Sequence, residues 1–173
     1  GSPLSVNALR EDLQVSHKTL ANWIGALERL FALFRLAPFG APRIRAVKKA
    51  QKHYHLDWTV VPKDAARFEN LVACHLLKWV HFEQDTKGRD LELRYFRDIE
   101  GREVDFVVVE GRQPRLLVEC KWSDAEVDHS LRYLKARFPG AEAWQISAVG
   151  IKDHQTPDGV RVAPAVRLLS RLV

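Results

Sequence analysis

The stretch Glu103-Val104-Asp105-Phe106-Val107-Val108-Val109-Glu110-Gly111-Arg112-Gln113-Pro114-Arg115-Leu116-Leu117-Val118-Glu119-Cys120-Lys121 decides the fold. Asp105 opens a β-branched and aromatic run, Phe106 to Val109, that reads as a strand. Gly111, Arg112, Gln113 and Pro114 make a turn, and Leu116 to Val118 form a returning strand that ends in Glu119 and Lys121. Side chains alternate along a strand, so Glu119 and Lys121 share a face. The hairpin is expected to return that face to the level of Asp105. Two carboxylates and an ammonium at one strand edge are the donors and counter-charge that a hard divalent cation uses.

The flanking residues extend this hairpin into an α/β unit. Asp64 is read as the cap of a helix running from Ala65 to about Phe82, with Phe68, Leu71, Val72, His75, Leu76, Trp79 and Val80 as its apolar stripe. Gln84 to Asp90 reads as a polar loop, Leu91 to Arg97 as a strand, and Asp98, Glu100 and Gly101 as a turn. Strands follow at about 103–110 and 115–121. Ser123 or Asp124 is read as the cap of a helix that Pro139-Gly140 stops near Phe138. Trp144 to Val149 is a further strand, Pro157-Asp158-Gly159 turns into Val160 to Val162, and Pro164 starts a short closing helix. The order αβββαβ predicts an antiparallel meander, a helical crossover to a parallel strand, and helices on both sides of a mixed sheet.

The first third differs in character. A boundary near Val61-Pro62-Lys63 divides the chain into 1–62 and 63–173. The first part holds nine Lys/Arg against four Asp/Glu, and the second holds eighteen of each, so the net charge of +5 belongs to the first part. Ser5 is read as the cap of a helix ending at Leu13, and Ser16 as the cap of a second from His17 to about Ala26. Leu9, Leu13, Val15, Leu20, Ile24, Leu27, Leu30 and Leu33 supply apolar positions at helical spacing. The pattern is a helix-turn-helix, with His17, Lys18, Asn22 and Trp23 on the exposed face of the second helix. Alternation around Ile44–Val47 and Tyr54–Trp58 predicts a two-stranded wing. With the basic run Arg43, Arg45, Lys48, Lys49 and Lys52, this predicts a winged helix that contacts DNA through Lys18, Asn22, Arg43, Arg45, Lys48 and Lys49. A solvated basic loop is the competing reading of the run.

No apolar run spans a membrane and no secretory signal opens the chain. Cys74 and Cys120 lack both disulfide-framework and zinc-ligand spacing, which points to a reduced, cytoplasmic setting. Gly1-Ser2 reads as a cloning scar. With no methionine present, the chain is expected to be a piece of a longer protein. Oligomerisation is compatible with the sequence.

The order of elements and the placing of Asp105 and of Glu119-x-Lys121 resemble the core of the PD-(D/E)XK nuclease superfamily, the restriction-endonuclease-like fold. Glu69, in "FENLVACHLL", matches the acidic residue that many members carry on their first core helix. The longer string, "RFENLVACHLL" then "LRYFRDIEGREVDFVV" then "LLVECKW" behind a winged helix, resembles the C-terminal region of unknown function of prokaryotic AAA+-type ATPases. The resemblance covers nearly the whole chain and implies an ATP-binding domain upstream. The chain itself contains no G-x-x-x-x-G-K-[ST] loop, so ATP would bind only in that upstream domain. Two departures stand out: Val104 where a proline is usual, and no glutamine in the segment 123–138.

The resemblance implies a Mg²⁺- or Mn²⁺-dependent deoxyribonuclease. Asp105 and Glu119 would hold the ion, with Glu69 and the main-chain carbonyl of Cys120 completing the shell. Lys121 would orient the attacking water or stabilise the transition state. Glu103 is a fifth candidate. Two other functions compete: a DNA-binding module without catalysis, and a protein-interaction or regulatory region of the ATPase.

Overall fold

In the computed structural model the described residues are 6–40 and 51–172. Ser5 and the basic positions Arg43, Arg45, Lys48 and Lys49 lie outside them, as does the strand expected at 44–47. The elements are α1 (Val6–Leu13), α2 (His17–Arg29), β1 (Leu33–Leu36), β2 (Lys52–His55), a 3-10 turn (Trp58–Val60), α3 (Asp64–Lys87), β3 (Leu91–Arg97), β4 (Glu103–Glu110), β5 (Gln113–Lys121), α4 (His129–Arg137), β6 (Glu142–Ser147), β7 (His154–Gln155), β8 (Val160–Pro164) and α5 (Ala165–Leu169). From α3 to β6 the order is the αβββαβ read from the sequence.

The main sheet has six strands in the order β3-β4-β5-β6-β8-β7. β3, β4 and β5 form the antiparallel meander, and β6 lies parallel to β5 across the α4 crossover. Helix α3 covers one face, where Val72, Ala73, Leu76 and Val80 pack with Leu91, Leu93, Phe106, Val108, Val118 and Ile146. Helix α4 covers the other, where Leu131 and Leu134 meet Val107, Val109, Leu117, Ala143 and Val160. The unbroken apolar run of β4 follows from burial on both faces. Among the described residues no helix is long and apolar enough to cross a membrane.

The first third is a helix pair followed by an antiparallel hairpin, β1 with β2. Ser16 caps α2, its hydroxyl accepting from Thr19 N at 3.0 Å. The helix runs to Arg29, beyond the expected Ala26, and stops where Phe31 takes a left-handed φ of 54°. Leu33 therefore lies on a strand and not at a helical position. The hairpin is joined to the sheet: Leu36 and Tyr54 belong to the α3-side core, and Phe39 N donates to Tyr95 O at 2.6 Å, covering the β3 edge.

Other element ends also differ from the sequence reading: the strand expected at Trp144–Val149 is Glu142–Ser147, and the one around Tyr54–Trp58 is Lys52–His55. Helix α3 extends to Lys87 because Gly88, at φ 64°, supplies the left-handed cap one turn later than expected. Its N-cap is Lys63, and Asp64 is the first helical residue, paired with Arg67 at 3.2 Å. Helix α4 starts at His129, capped by Asp128, because residues before it are held in a loop. There Asp124 accepts from Ile151 N and Lys152 N, and Gln145 Nε2 donates to the carbonyls of Ala125 and Glu126.

Candidate functional site

The β4–β5 ladder ends at the Phe106–Val118 pair, while β5 continues to Lys121 against β6. Beyond that pair, strand N–H groups take carboxylates as partners. Cys120 N donates to Asp105 Oδ2 at 2.9 Å, and Asp105 N donates to Glu119 Oε2 at 3.3 Å. The predicted residues of the hairpin thus meet at one fork in the sheet.

They do not all face one way. Between the Arg94–Val107 and Phe96–Val104 pairs the register shifts, so Asp105 and Phe106 together oppose Tyr95. This bulge breaks the alternation of β4: Val104 joins the α4-side core and Phe106 the α3-side core. Asp105 is thereby turned toward α3, together with Glu103. Glu119 stays in step with Leu117 on the α4 side. The expectation that Asp105 shares the face of Glu119 and Lys121 is corrected by this one inserted residue.

Two ion clusters result. On the α3 side, Lys52 Nζ lies 2.6 Å from Glu103 Oε1, 3.4 Å from Asp105 Oδ1 and 3.5 Å from Glu69 Oε1. Its side chain is 1% exposed and its ammonium stands 5.4 Å from the Tyr95 ring centroid. Tyr54, two residues along the same strand, donates its hydroxyl to Glu69 Oε1 at 2.7 Å. On the α4 side, Lys121 Nζ lies 2.9 Å from Glu119 Oε1 and 2.8 Å from Asp128 Oδ2. Asp128 N in turn donates to the buried Gln145 Oε1 at 2.8 Å.

The electrostatics follow from burial. Desolvation and the Glu69 charge push the Asp105 carboxyl up to about 6, against the pull of Lys52. Desolvation and the Asp105 charge push the Glu119 carboxyl up to about 8, against Lys121. Burial works against the charge of Lys52, but Asp105, Glu69 and Glu103 outweigh it and hold the ammonium protonated well above the usual lysine range. Lys121 is likewise raised, its desolvation outweighed by Glu119 and Asp128.

The donor chemistry suits Mg²⁺ or Mn²⁺, since three or four carboxylates stand within reach of one fork. The spacing does not. Among the described residues no group of three or more His, Cys, Asp or Glu side chains is placed to hold a metal ion. Asp105, Glu69 and Glu103 are turned to an ammonium, and both oxygens of Glu119 accept from N–H donors. As the side chains stand, the residues do not fit a divalent ion.

Lys52, Tyr54, Asp128 and Gln145 were not read as site residues from the sequence. A signal was present for two of them: Lys52 and Tyr54 are two apart on a strand, so a lysine shares the face of a core tyrosine. Of the predicted DNA-contacting residues, Lys18 and Asn22 are exposed on α2, as are His17 and Trp23, while Leu20 and Ile24 are buried. A groove of about 900 Å³ between β1, α3 and β3, lined by Phe34, Leu36, Cys74, Leu77 and Leu93 among others, touches none of the clustered carboxylates.

Residues 65–165 match the family model described as domain of unknown function (DUF4143). The chain belongs to this family. Its domains typically stand C-terminal to AAA-type ATPases. Residues 1–63 match a second model, also described as a domain of unknown function (DUF8612). No curated protein matches the chain. No solved structure matches it either.

Proposed function

We propose that this chain is a DNA-associating, nuclease-like module of the PD-(D/E)XK type that serves an ATPase in the cytoplasm, and that its hydrolytic site is closed in the form described here. The observation that carries this reading is that the Asp105 and Glu119 carboxylates both bind the backbone of the β4–β5 fork, from its two faces, with Glu69 on the Asp105 side and Lys121 on the Glu119 side. An αβββαβ core with that polar set at the strand fork supports a nuclease-like identity. The helix pair, hairpin and exposed Lys18 and Asn22 support a winged-helix-type unit that meets DNA phosphates. The family's usual place beside ATPases supports an ATPase as the partner domain. Free thiols at Cys74 and Cys120 accord with a reduced compartment.

The closed state is the part of the reading that departs from a working nuclease. With Lys52 facing three carboxylates and Lys121 on Glu119, no step of hydrolysis is assigned to these side chains.

The test has two arms. Fluorescence anisotropy with a duplex oligonucleotide is expected to show binding that weakens steeply between 50 and 200 mM salt (about 10-fold or more for a few phosphate contacts). Lys18→Ala with Asn22→Ala is expected to weaken it further. Supercoiled plasmid in Mg²⁺ or Mn²⁺ is expected to remain intact. Absence of DNA affinity at low salt overturns the DNA reading in favour of a protein-interaction region. Nicking that disappears in Asp105→Ala overturns the closed state.

A further inference from the structure

We propose that the groove between β1 and β3 is a slot for one extended strand of a protein partner, a segment with apolar side chains at alternate positions and an acidic residue. The inference goes beyond the DNA reading and stands apart from it, since the groove touches none of the clustered carboxylates.

The backbone carries it. In an antiparallel pair alternate residues bond to the neighbour, and the residues between them turn their N–H and C=O outward. On β3, Asp90 O accepts from Gly111 N on the β4 side, whereas Leu91 O accepts from Gln84 Nε2 and Tyr95 bonds to Ala37 and Phe39. Leu93 lies between Leu91 and Tyr95 in the same phase, so its N–H and C=O face away from β4. On β1, Ala32 O accepts from Leu56 N, so Leu33 and Arg35 face away from β2. His55, opposite Leu33, is turned outward in the same way, to Asn70. The outward edges of β1 and β3 therefore face each other. They join at one end in a parallel bridge, where Tyr95 N donates to Ala37 O at 3.3 Å and Phe39 N to Tyr95 O at 2.6 Å. Continuing that ladder would bond Leu93 to Arg35 and Ala37. Among the described residues neither Leu93 nor Arg35 has a backbone bond across the opening. The strands splay instead, and the groove of about 900 Å³ lies between them.

Side chains decide which strand fits. Leu91 and Leu93 of β3 and Leu36 of β1 belong to the α3-side core, and Cys74 and Leu77 of α3 line the groove beside them. A strand laid in the gap continues that face, so every second side chain of it meets an apolar surface. At the rim, Glu28 is paired with Arg35 and Glu92 with Arg94. Lys78 is exposed there and has no ion-pair partner among the described residues, so the charge left to be met is positive. An acidic residue of the incoming strand meets it. Residues 41–50 of this chain hold Arg43, Arg45, Lys48 and Lys49 and no acid, which is the wrong charge for the slot. Main-chain pairing supplies the affinity of such an added strand, and the alternate side chains supply its specificity.

The probe is a set of capped octapeptides in which valine alternates with threonine and one aspartate takes each threonine position in turn. They are titrated into the full chain and followed by NMR. At least one is expected to bind with a Kd of about 1 mM or tighter, and to slow exchange of the Leu93 amide by about 10-fold or more. N-methylation of its central amides is expected to weaken binding by about 10-fold, the equivalent of one or two hydrogen bonds. Lys78→Glu, a change at an exposed position, is expected to weaken the aspartate peptides and to favour the same set with lysine in place of aspartate. A set in which no peptide binds overturns the proposal. Binding that ignores N-methylation overturns it too, because the contact is then apolar adhesion without strand pairing. So does a Leu93 amide that exchanges equally slowly with and without peptide. Such protection, if independent of concentration, assigns the slot to the chain's own residues, and if lost on dilution, to a second copy.

Discussion

Replacing Glu119 by glutamine tests the electrostatics of the fork without removing a side chain. Burial and the Asp105 charge raise the Glu119 carboxyl from 4.5 to about 8. A group whose folded value lies above its unfolded value binds its proton more tightly in the native state. Its stabilising contribution is complete below about pH 4.5 and is lost as the pH rises through about 8. At about 1.4 kcal/mol per unit, a displacement of this kind is worth on the order of 2–5 kcal/mol between those limits. For a chain of this size that is a shift in melting temperature on the order of 5 °C or more. Glutamine is shaped like the neutral acid and does not titrate. The melting temperature of Glu119→Gln minus that of the wild type is therefore expected to climb steadily from pH 5 to pH 9. His53 and His75, both held below the usual histidine range mainly by burial, titrate in either protein and cancel in the difference. The assay is thermal unfolding by circular dichroism at closely spaced pH values and fixed ionic strength. A difference that stays flat, or falls as pH rises, refutes the reasoning. It would mean that Lys121 and the Asp105 N–H keep Glu119 ionised throughout.

Two further outcomes concern how the hairpin is held. Asn70→Ala removes the side chain that accepts from His55 N at 2.9 Å and donates to His55 O at 2.6 Å, so two groups of a strand lose their partner. A loss of about 2–3 kcal/mol is expected in urea unfolding, and a loss under half of that would show that water replaces the amide. Tyr54→Phe deletes the 2.7 Å bond to the Glu69 carboxylate with little change in packing. It is expected to cost about 2 kcal/mol near pH 7, and equal stability of the two proteins in the same assay would count against the bond.

The α/β core was legible because its signals are local. The alternation of Leu91–Arg97, the valine run of β4 and the glycine at 111 each specify their element within a few residues. Element ends were less so, because they depend on partners distant in sequence. Residues 123–128 carry good helix caps, yet Asp124 is committed to the backbone at 151–152 and Gln145 holds the carbonyls of 125 and 126. Those bonds leave Asp128 as the cap. The first strand of the hairpin likewise lies at 33–36, where apolar residues had suited a helix, because Phe31 turns the chain first.

The site was legible as a set of residue types and illegible as a geometry. Asp105 and Glu119 reach the fork from opposite faces of the sheet, Asp105 beside Glu69 and Glu119 beside Lys121. The face of Asp105 depends on a bulge that exists only in the pairing of β4 with β3, and no property of residues 103–106 alone announces it. Lys52 was hidden in a different way: it ends a run of basic residues, and charge in such a run reads as solvated.

Its burial ties the two halves of the chain together, and this yields a last prediction. A piece comprising 63–173 keeps Glu69, Glu103 and Asp105 but lacks Lys52, one of the positive charges that act on them. Ionising those carboxyls then opposes folding, because like charges gather with less compensation, whereas protonating them relieves the repulsion. Such a piece is expected to be most stable near pH 5 and to lose stability toward pH 8 more steeply than the full chain, measured by urea unfolding across that range. Parallel pH profiles for the two would show that the Lys52 charge is not what balances the acidic face of the core.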